Sequence, residues 1–155
     1  SERTRISGTA ADLLNSVAPR LADRFDPLIP VFLPALLQLC ARTNKVALKR
    51  AQKTLLLICA YCRLPSSLLP FFREAAKDKV PSLRAVAVEC TLALVNGMGV
   101  NGSEKDQERL GRRGVPDAVE AILRSGATDA SVEVRSLSKK LFGAYMASMP
   151  ERVEA

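Results

Sequence analysis

The chain has no histidine and no tryptophan, and its two tyrosines and five phenylalanines bring aromatics to only 5% of 155 residues. Without histidine there is no Ser-His-Asp triad, no Cys-His pair and no imidazole base, which removes most familiar hydrolytic mechanisms. A phosphate-cradling glycine loop is missing too. Gly97, Gly99 and Gly102 fall in Asn96-Gly97-Met98-Gly99-Val100-Asn101-Gly102, which follows a helical pattern rather than a strand and lacks the Gly-Lys-Ser/Thr ending. Long apolar runs are absent: the longest are broken by Pro30, Pro34 or Lys53, too short to span a bilayer, and no charged-then-apolar leader opens the chain. Carboxylates such as Glu151 and Glu154 sit in a polar terminal stretch that implies no pocket. These absences predict a cytosolic protein without catalytic equipment, cofactor, metal or membrane contact, and the start at Ser1 reads as a piece cut from something longer.

Cysteine is scarce and placed for packing. Cys40, Cys59, Cys62 and Cys90 all lie inside apolar helical runs, where a thiol behaves as a small hydrophobe, and this points to a reducing compartment. Cys59 and Cys62 form a Cys-x-x-Cys, but a zinc site needs four ligands and the chain has no second close pair. A redox motif would start at a helix N-terminus after a strand, whereas this pair lies near a helix C-terminus.

What is present is a Leu-, Ala- and Val-rich composition, 48% hydrophobic, with 23 basic against 16 acidic residues for a net charge of +7. The length predicts one domain over residues 1–155, the composition predicts helices rather than strands, and the charge favours an acidic partner. Helical periodicity runs nearly throughout. It predicts seven helices: Thr9 to Arg24, Leu28 to Cys40 opened by Asp26-Pro27 and kinked at Pro30 and Pro34, Lys45 to Cys62, a short helix to Ala76 capped by Ser66 or Ser67, Pro81 to Asn96, Asp117 to Arg124, and Ser131 to Met149. Residues 97–115 are expected to form the one long loop, with a helical turn at Glu104 to Leu110.

A weak internal repeat organises these helices. Asp78 is followed at the fifth and sixth positions by Leu83-Arg84, Asp129 at the same spacing by Val134-Arg135, and Thr43 by Leu48-Lys49 as a looser copy. Each copy runs from an apolar helix through a short polar turn into a second helix. This is the grammar of an all-α HEAT-repeat solenoid, of about three to four stacked helix pairs sharing one core. The turns then line up along one edge as a recognition surface. They carry Arg42, Thr43, Asn44, Lys45 and Lys49, then Lys77, Lys79 and Arg84, then Asp129, Ser131, Arg135 and Lys139. The competing role for Arg84 and Arg135 is structural, each bonding Asp78 or Asp129 to stiffen its own turn.

Gly126-Ala127-Thr128-Asp129-Ala130-Ser131-Val132-Glu133-Val134-Arg135-Ser136-Leu137-Ser138-Lys139-Lys140, continuing to Phe142-Gly143-Ala144-Tyr145 and Ser148-Met149-Pro150-Glu151-Arg152, resembles the closing repeat of a TOG domain, in particular of the CLASP branch. Asn44-Lys45-Val46, Arg63-Leu64-Pro65 with Leu68-Leu69-Pro70, and Lys77-Asp78-Lys79-Val80-Pro81-Ser82-Leu83-Arg84 are similar to the later repeats of that domain, in the right order. The resemblance covers Leu36 to Glu154. It implies a HEAT array whose aligned turns bind αβ-tubulin or microtubules, in a microtubule-stabilising protein of the spindle and kinetochore, with the residues Arg42, Asn44, Lys45, Lys77, Lys79, Arg84, Ser131 and Arg135 facing the partner. The chain departs from that pattern in holding about three and a half repeats, apparently the C-terminal half, and in having no tryptophan, where the family's first turn usually offers an aromatic wedge.

Two other readings stand beside tubulin binding. A HEAT scaffold that does not bind tubulin would dock a kinetochore protein or a second copy of itself through an apolar groove near Leu28 to Leu37, and would bind despite salt. A nucleic-acid binder is permitted by the charge, but the aromatics look like core or loop residues rather than a stacking platform, and no basic recognition helix stands out.

Overall fold

The computed structural model describes residues 22–153 together with Asp12 and Leu13. The helix expected from Thr9 to Arg24 falls almost wholly outside them, as does Glu154. A 3₁₀ segment, Ala22–Leu28, leads into α1 (Ile29–Cys40), α2 (Lys45–Cys62), α3 (Pro65–Ala75), α4 (Pro81–Met98), α5 (Glu104–Leu110), α6 (Val115–Ala127), α7 (Val132–Ser148) and α8 (Pro150–Val153). Among the described residues there is no strand.

The packing is that of a HEAT-type solenoid. Helices α1 and α2, α3 and α4, and α6 and α7 pack as pairs; α2, α4 and α7 lie side by side in one layer, and α1, α3 and α6 in the other. One continuous core fills the space between the layers, from Phe25 and Leu33 through Leu55, Phe72 and Leu94 to Ile122 and Leu141. No pair could keep these side chains dry alone, which is why the pairs stack.

Each helix boundary has a local cause. Asn44 caps α2, its Oδ1 accepting from the N–H groups of Val46 and Ala47 at 3.0 and 3.2 Å. Helix α3 starts on Pro65 in its first turn without any side-chain cap, so neither Ser66 nor Ser67 plays the expected role; proline there needs no N–H partner. Asp26-Pro27 belongs to the 3₁₀ segment rather than to a cap of α1. Pro30 falls in the first turn of α1, and Pro34 lies inside the helix. Both prolines are exposed, so water can satisfy the carbonyl that Pro34 leaves without a donor. Helix α1 is therefore not buried all round: Pro30, Val31, Pro34, Ala35 and Gln38 face out, while Ile29, Leu33, Leu36 and Leu37 go to the core. The apolar residues expected to line a groove between Leu28 and Leu37 are largely spent on packing.

The stretch 97–115 holds the helical turn expected at Glu104 to Leu110, between the turns 99–103 and 111–114. Gly97 continues α4, and Glu104–Leu110 forms α5. Its start is a reciprocal capping box, with Ser103 Oγ accepting from Asp106 N–H at 3.2 Å and Asp106 accepting from Ser103 N–H at 3.1 Å. Gly114, with φ of 87°, turns the chain into α6. Helix α6 outruns the expected Asp117 to Arg124 at both ends. At the N-terminal end of α6, Arg152 donates to Asp117 at 2.9 Å and to Glu120 at 2.7 Å, tying α8 to α6.

All four cysteines are buried and none is in a disulfide. Burial, with Glu89 assisting, pushes the Cys40 thiol up to about 12, and Cys90 is raised by its hydrogen bond with Cys59 and by burial. We expect none of them to react with Ellman's reagent at pH 8 in the native protein and all four to react in guanidinium, since only the thiolate attacks. Tight packing between α6 and α7 gives a second expectation. A methyl group at Gly126 would collide with Ser138 Oγ and come within 3.1 Å of Ser138 Cβ, so Gly126→Ala should cost about 1–3 kcal/mol in urea unfolding, and Ser138→Gly should recover part of that loss.

The turn edge as a candidate interaction surface

The three turns between paired helices, 41–44, 76–80 and 128–131, open along one edge of the stack. Two of them are built alike. Asp78 Oδ1 accepts from Val80 N–H at 2.9 Å, and Asp129 Oδ1 from Ser131 N–H at 2.8 Å. Arg84 Nη1 then donates to the Asp78 carbonyl at 2.9 Å, as Arg135 Nη1 does to the Asp129 carbonyl at 2.6 Å. The sequence repeat is thus a repeat of hydrogen bonds, in which an Asx-type turn is closed by the arginine six residues on.

The first turn departs from that register. The N–H groups of Arg84 and Arg135 donate to the capping residues Val80 and Ser131, and the corresponding donor in α2 is Leu48, bonded to Asn44 at 3.0 Å. Leu48, not Lys49, therefore stands where the two arginines stand, and Arg42, not Thr43, stands where the aspartates stand. The third copy of the repeat is offset by one residue from its expected alignment.

Neighbouring turns are bonded to each other. Arg84 forks onto Asp129 of the next pair, Nε to Oδ2 at 2.7 Å and Nη2 to Oδ1 at 3.0 Å. Ser82 Oγ donates to the Cys40 carbonyl at 2.8 Å, joining the second pair to the end of α1. The side chains of Arg84 and Asp129 are only 15% and 7% exposed, so Arg84 is a brace rather than a contact residue. Its carboxylate partner also differs from the expected one: it is Asp129 across the repeat boundary, while the Asp78 carboxylate serves its own turn. Arg135 likewise bonds the carbonyls of Asp129 and Ala130, and no hydrogen bond joins it to the Asp129 carboxylate.

Of the residues expected to face a partner, Asn44 and Ser131 are occupied as helix caps, Ser131 Oγ accepting from Val134 N–H at 3.4 Å. Arg42, Lys45, Lys77 and Lys79 are exposed, with Lys77 Nζ 3.8 Å from Glu74 as its one carboxylate neighbour. Lys49 and Lys139 are exposed as well. The edge can therefore do one thing chemically: offer well-separated cations on a rigid frame to an acidic surface. Among the described residues no group of His, Cys, Asp or Glu could hold a metal ion, and no helix is long and apolar enough to cross a membrane.

On the opposite edge a second brace was not anticipated. Arg63 ends α2 with φ of 36°, a left-handed conformation uncommon outside glycine, and its guanidinium pairs with the buried Asp106 of the α5 capping box. Burial raises the Asp106 carboxyl, but the Ser103 N–H and Arg63 outweigh it and hold it below the ordinary value. Ser103-Glu104-Lys105-Asp106 is a capping-box pattern that sequence inspection can find; its contact with Arg63 is set by tertiary packing alone.

The Arg84 hydrogen bonds hold the Asp129 carboxyl below its ordinary value of 3.8 against the opposing effect of burial. A depressed folded pKa means that the stabilisation is complete above the unfolded pKa and is lost as pH falls through the folded one. Asp129→Asn should cost about 2–3 kcal/mol at pH 7, and its deficit relative to the parent in urea unfolding should narrow below about pH 4. An unchanged deficit at pH 3 would show that the pair does not act through charge.

Comparison with known proteins agrees with this architecture. The family described as CLASP N terminal matches residues 1–155. Protein peg1 of Schizosaccharomyces pombe is 29% identical over 143 residues, covering 92% of this chain and 9% of that protein. Protein STU1 of Phaeosphaeria nodorum is 25% identical over 153 residues, 99% of this chain and 12% of that protein, and protein stu-1 of Neurospora crassa 22% identical over 152 residues, 98% and 13%. The chain spans only about a tenth of the length of these curated relatives. With its repeating helix pairs, its register of turns and a family match from the first residue to the last, the chain belongs to the CLASP N-terminal family.

Proposed function

We propose that the chain is a tubulin- or microtubule-contact module of a CLASP-type microtubule-stabilising protein acting at the cytoskeleton, in spindle or kinetochore microtubules, and that its turn edge is the contact surface. The observation that carries this reading is the division of labour among the cations of that edge. Arg84 is consumed in bracing one turn to the next and Arg135 closes its own turn through Nη1, whereas Arg42, Lys45, Lys77 and Lys79 stay exposed on turns whose spacing the Arg84 brace fixes. Long, hydrated side chains at the rim of an interface speed encounter with an acidic partner and set its orientation, and salt weakens them. Membership of the CLASP N-terminal family supports tubulin or microtubules as that partner. The roles of Asn44 and Ser131 are to shape their turns as caps, and Arg84 contributes by holding the second and third turns in register.

Co-sedimentation with αβ-tubulin and with polymerised microtubules at about 50 and 200 mM salt tests this reading. Binding is expected to fall steeply between the two salts, and the triple variant Lys45→Glu, Lys77→Glu, Lys79→Glu should lose at least about tenfold in affinity while keeping its thermal melt, because all three side chains are exposed. Salt-independent binding, or full binding by the triple variant, would leave a HEAT scaffold whose contact surface lies elsewhere.

A further inference from the structure

Helix α7 repeats α4 at an offset of 51 residues, the offset that takes Asp78 to Asp129 and Arg84 to Arg135. Along this register Ala87, Cys90, Leu94 and Met98 of α4 match Ser138, Leu141, Tyr145 and Met149, and all eight are buried. A second stripe behaves differently. Ala85, Val88, Thr91 and Val95 of α4 are buried, yet their counterparts Ser136, Lys139, Phe142 and Met146 are exposed. The difference is a neighbour: α4 has α7 stacked against it, and among the described residues no further pair is stacked on α7. Among the described residues this stacking face of α7 is open.

That face combines apolar and polar side chains. Phe142 and Met146 are each 45% exposed and Val132 71%. A hollow of about 640 Å³ is lined only by α6 and α7, with Leu123, Ala127, Val132 and Phe142 as its apolar wall and Arg135 and Lys139 at its rim. Ser138 also borders the hollow, with its hydroxyl turned inward against Gly126. Arg135 stands where Arg84 grips the carboxylate of the next turn, and among the described residues no carboxylate is hydrogen-bonded to it. A guanidinium has five N–H donors, and only Nη1 of Arg135 is engaged.

We propose that this end face docks an amphipathic helix of a partner protein that carries a carboxylate in its leading turn, with Arg135 taking that carboxylate as Arg84 takes Asp129. The chemistry narrows the occupant. Lys139 and Ser136, standing where α4 has Val88 and Ala85, keep the face wettable, which suits a partner that comes and goes better than a permanently stacked repeat. A second copy is disfavoured by charge: the α2 side of the stack offers Lys49 and Lys53, and two copies meeting face to face would set Arg135 against Arg135. The proposal uses a different face from the turn-edge reading and does not depend on it, apart from sharing Arg135.

The probe is a fluorescent amphipathic peptide of about 20 residues, apolar at i, i+3, i+4 and i+7, with aspartate two residues before a serine N-cap, the spacing of Asp129 from Ser131; its control has asparagine in place of that aspartate. Amide chemical shifts are expected to move on the outer faces of α6 and α7 and not along the first two turns. Phe142→Ala should weaken binding about tenfold, and the asparagine peptide should bind about tenfold more weakly to the parent but no more weakly than the aspartate peptide to an Arg135→Gln variant. Absence of binding, shifts mapping elsewhere, or equal affinity for the two peptides would overturn the proposal. So would concentration-dependent self-association in sedimentation equilibrium that Phe142→Ala removes, since the occupant would then be a second copy.

Discussion

A helix pair cut out of this chain would leave a full stripe of aliphatic side chains in water, and stacking on the next pair is what removes that stripe. Helix α4 shows the constraint most plainly, because it packs against α2 and α3 on one side and α7 on the other and buries Leu83, Val86, Val88, Leu94 and Val95 among others. Each fully buried aliphatic of that size contributes on the order of 1.5–3 kcal/mol, so the stack as a whole, rather than any local propensity, holds each helix in place. The cost is a geometric requirement: successive pairs must meet at a fixed offset, since a slip would drive one pair's ridges against those of its neighbour.

Polar groups at the pair boundaries enforce the offset that apolar packing alone leaves soft. Arg84 on Asp129 and Ser82 on the Cys40 carbonyl pin the turn edge, and Arg63 on Asp106 pins the opposite edge through α5. These contacts are directional, and the two arginine–carboxylate pairs put buried carboxylates where a misplaced pair would leave a charge without its partner. They also sort the basic residues. An arginine drawn into a brace is withdrawn from the surface, and the lysines left over, which make poor forks but well-hydrated point charges, become the ones that a partner can meet. A net charge of +7 therefore says less about binding than the question of which cations have been spent.

The same logic joins the two proposed interaction surfaces. The turn edge exists because three turns are stacked in register, and the second face is the side of α7 on which, among the described residues, no pair is stacked. In the CLASP N-terminal family this chain stands for a small share of much longer relatives, so both surfaces are best understood as parts of a larger assembly.

Much of this was legible in the sequence. The 3.6-residue periodicity of α2, α4 and α7 and the Asp-to-Arg spacing of two turns are local signals, because amphipathicity and turn chemistry depend on residues only a few positions apart, and they gave the helices, their pairing and the turn edge. The misreadings occurred where distance along the chain entered. The helical turn expected at Glu104 to Leu110 is helix α5, but its hold on Arg63 across 43 residues was invisible, and Leu48 and Lys49 were placed one residue out because an offset shows only against the helix axis. The sequence by itself determined that the chain would be a stack of helix pairs with a basic row of turns. Only the tertiary structure decided that Arg84 reaches Asp129, 45 residues away, while Lys45 and Lys79 stay in water, because a guanidinium is taken up only where stacking brings a carboxylate within its reach.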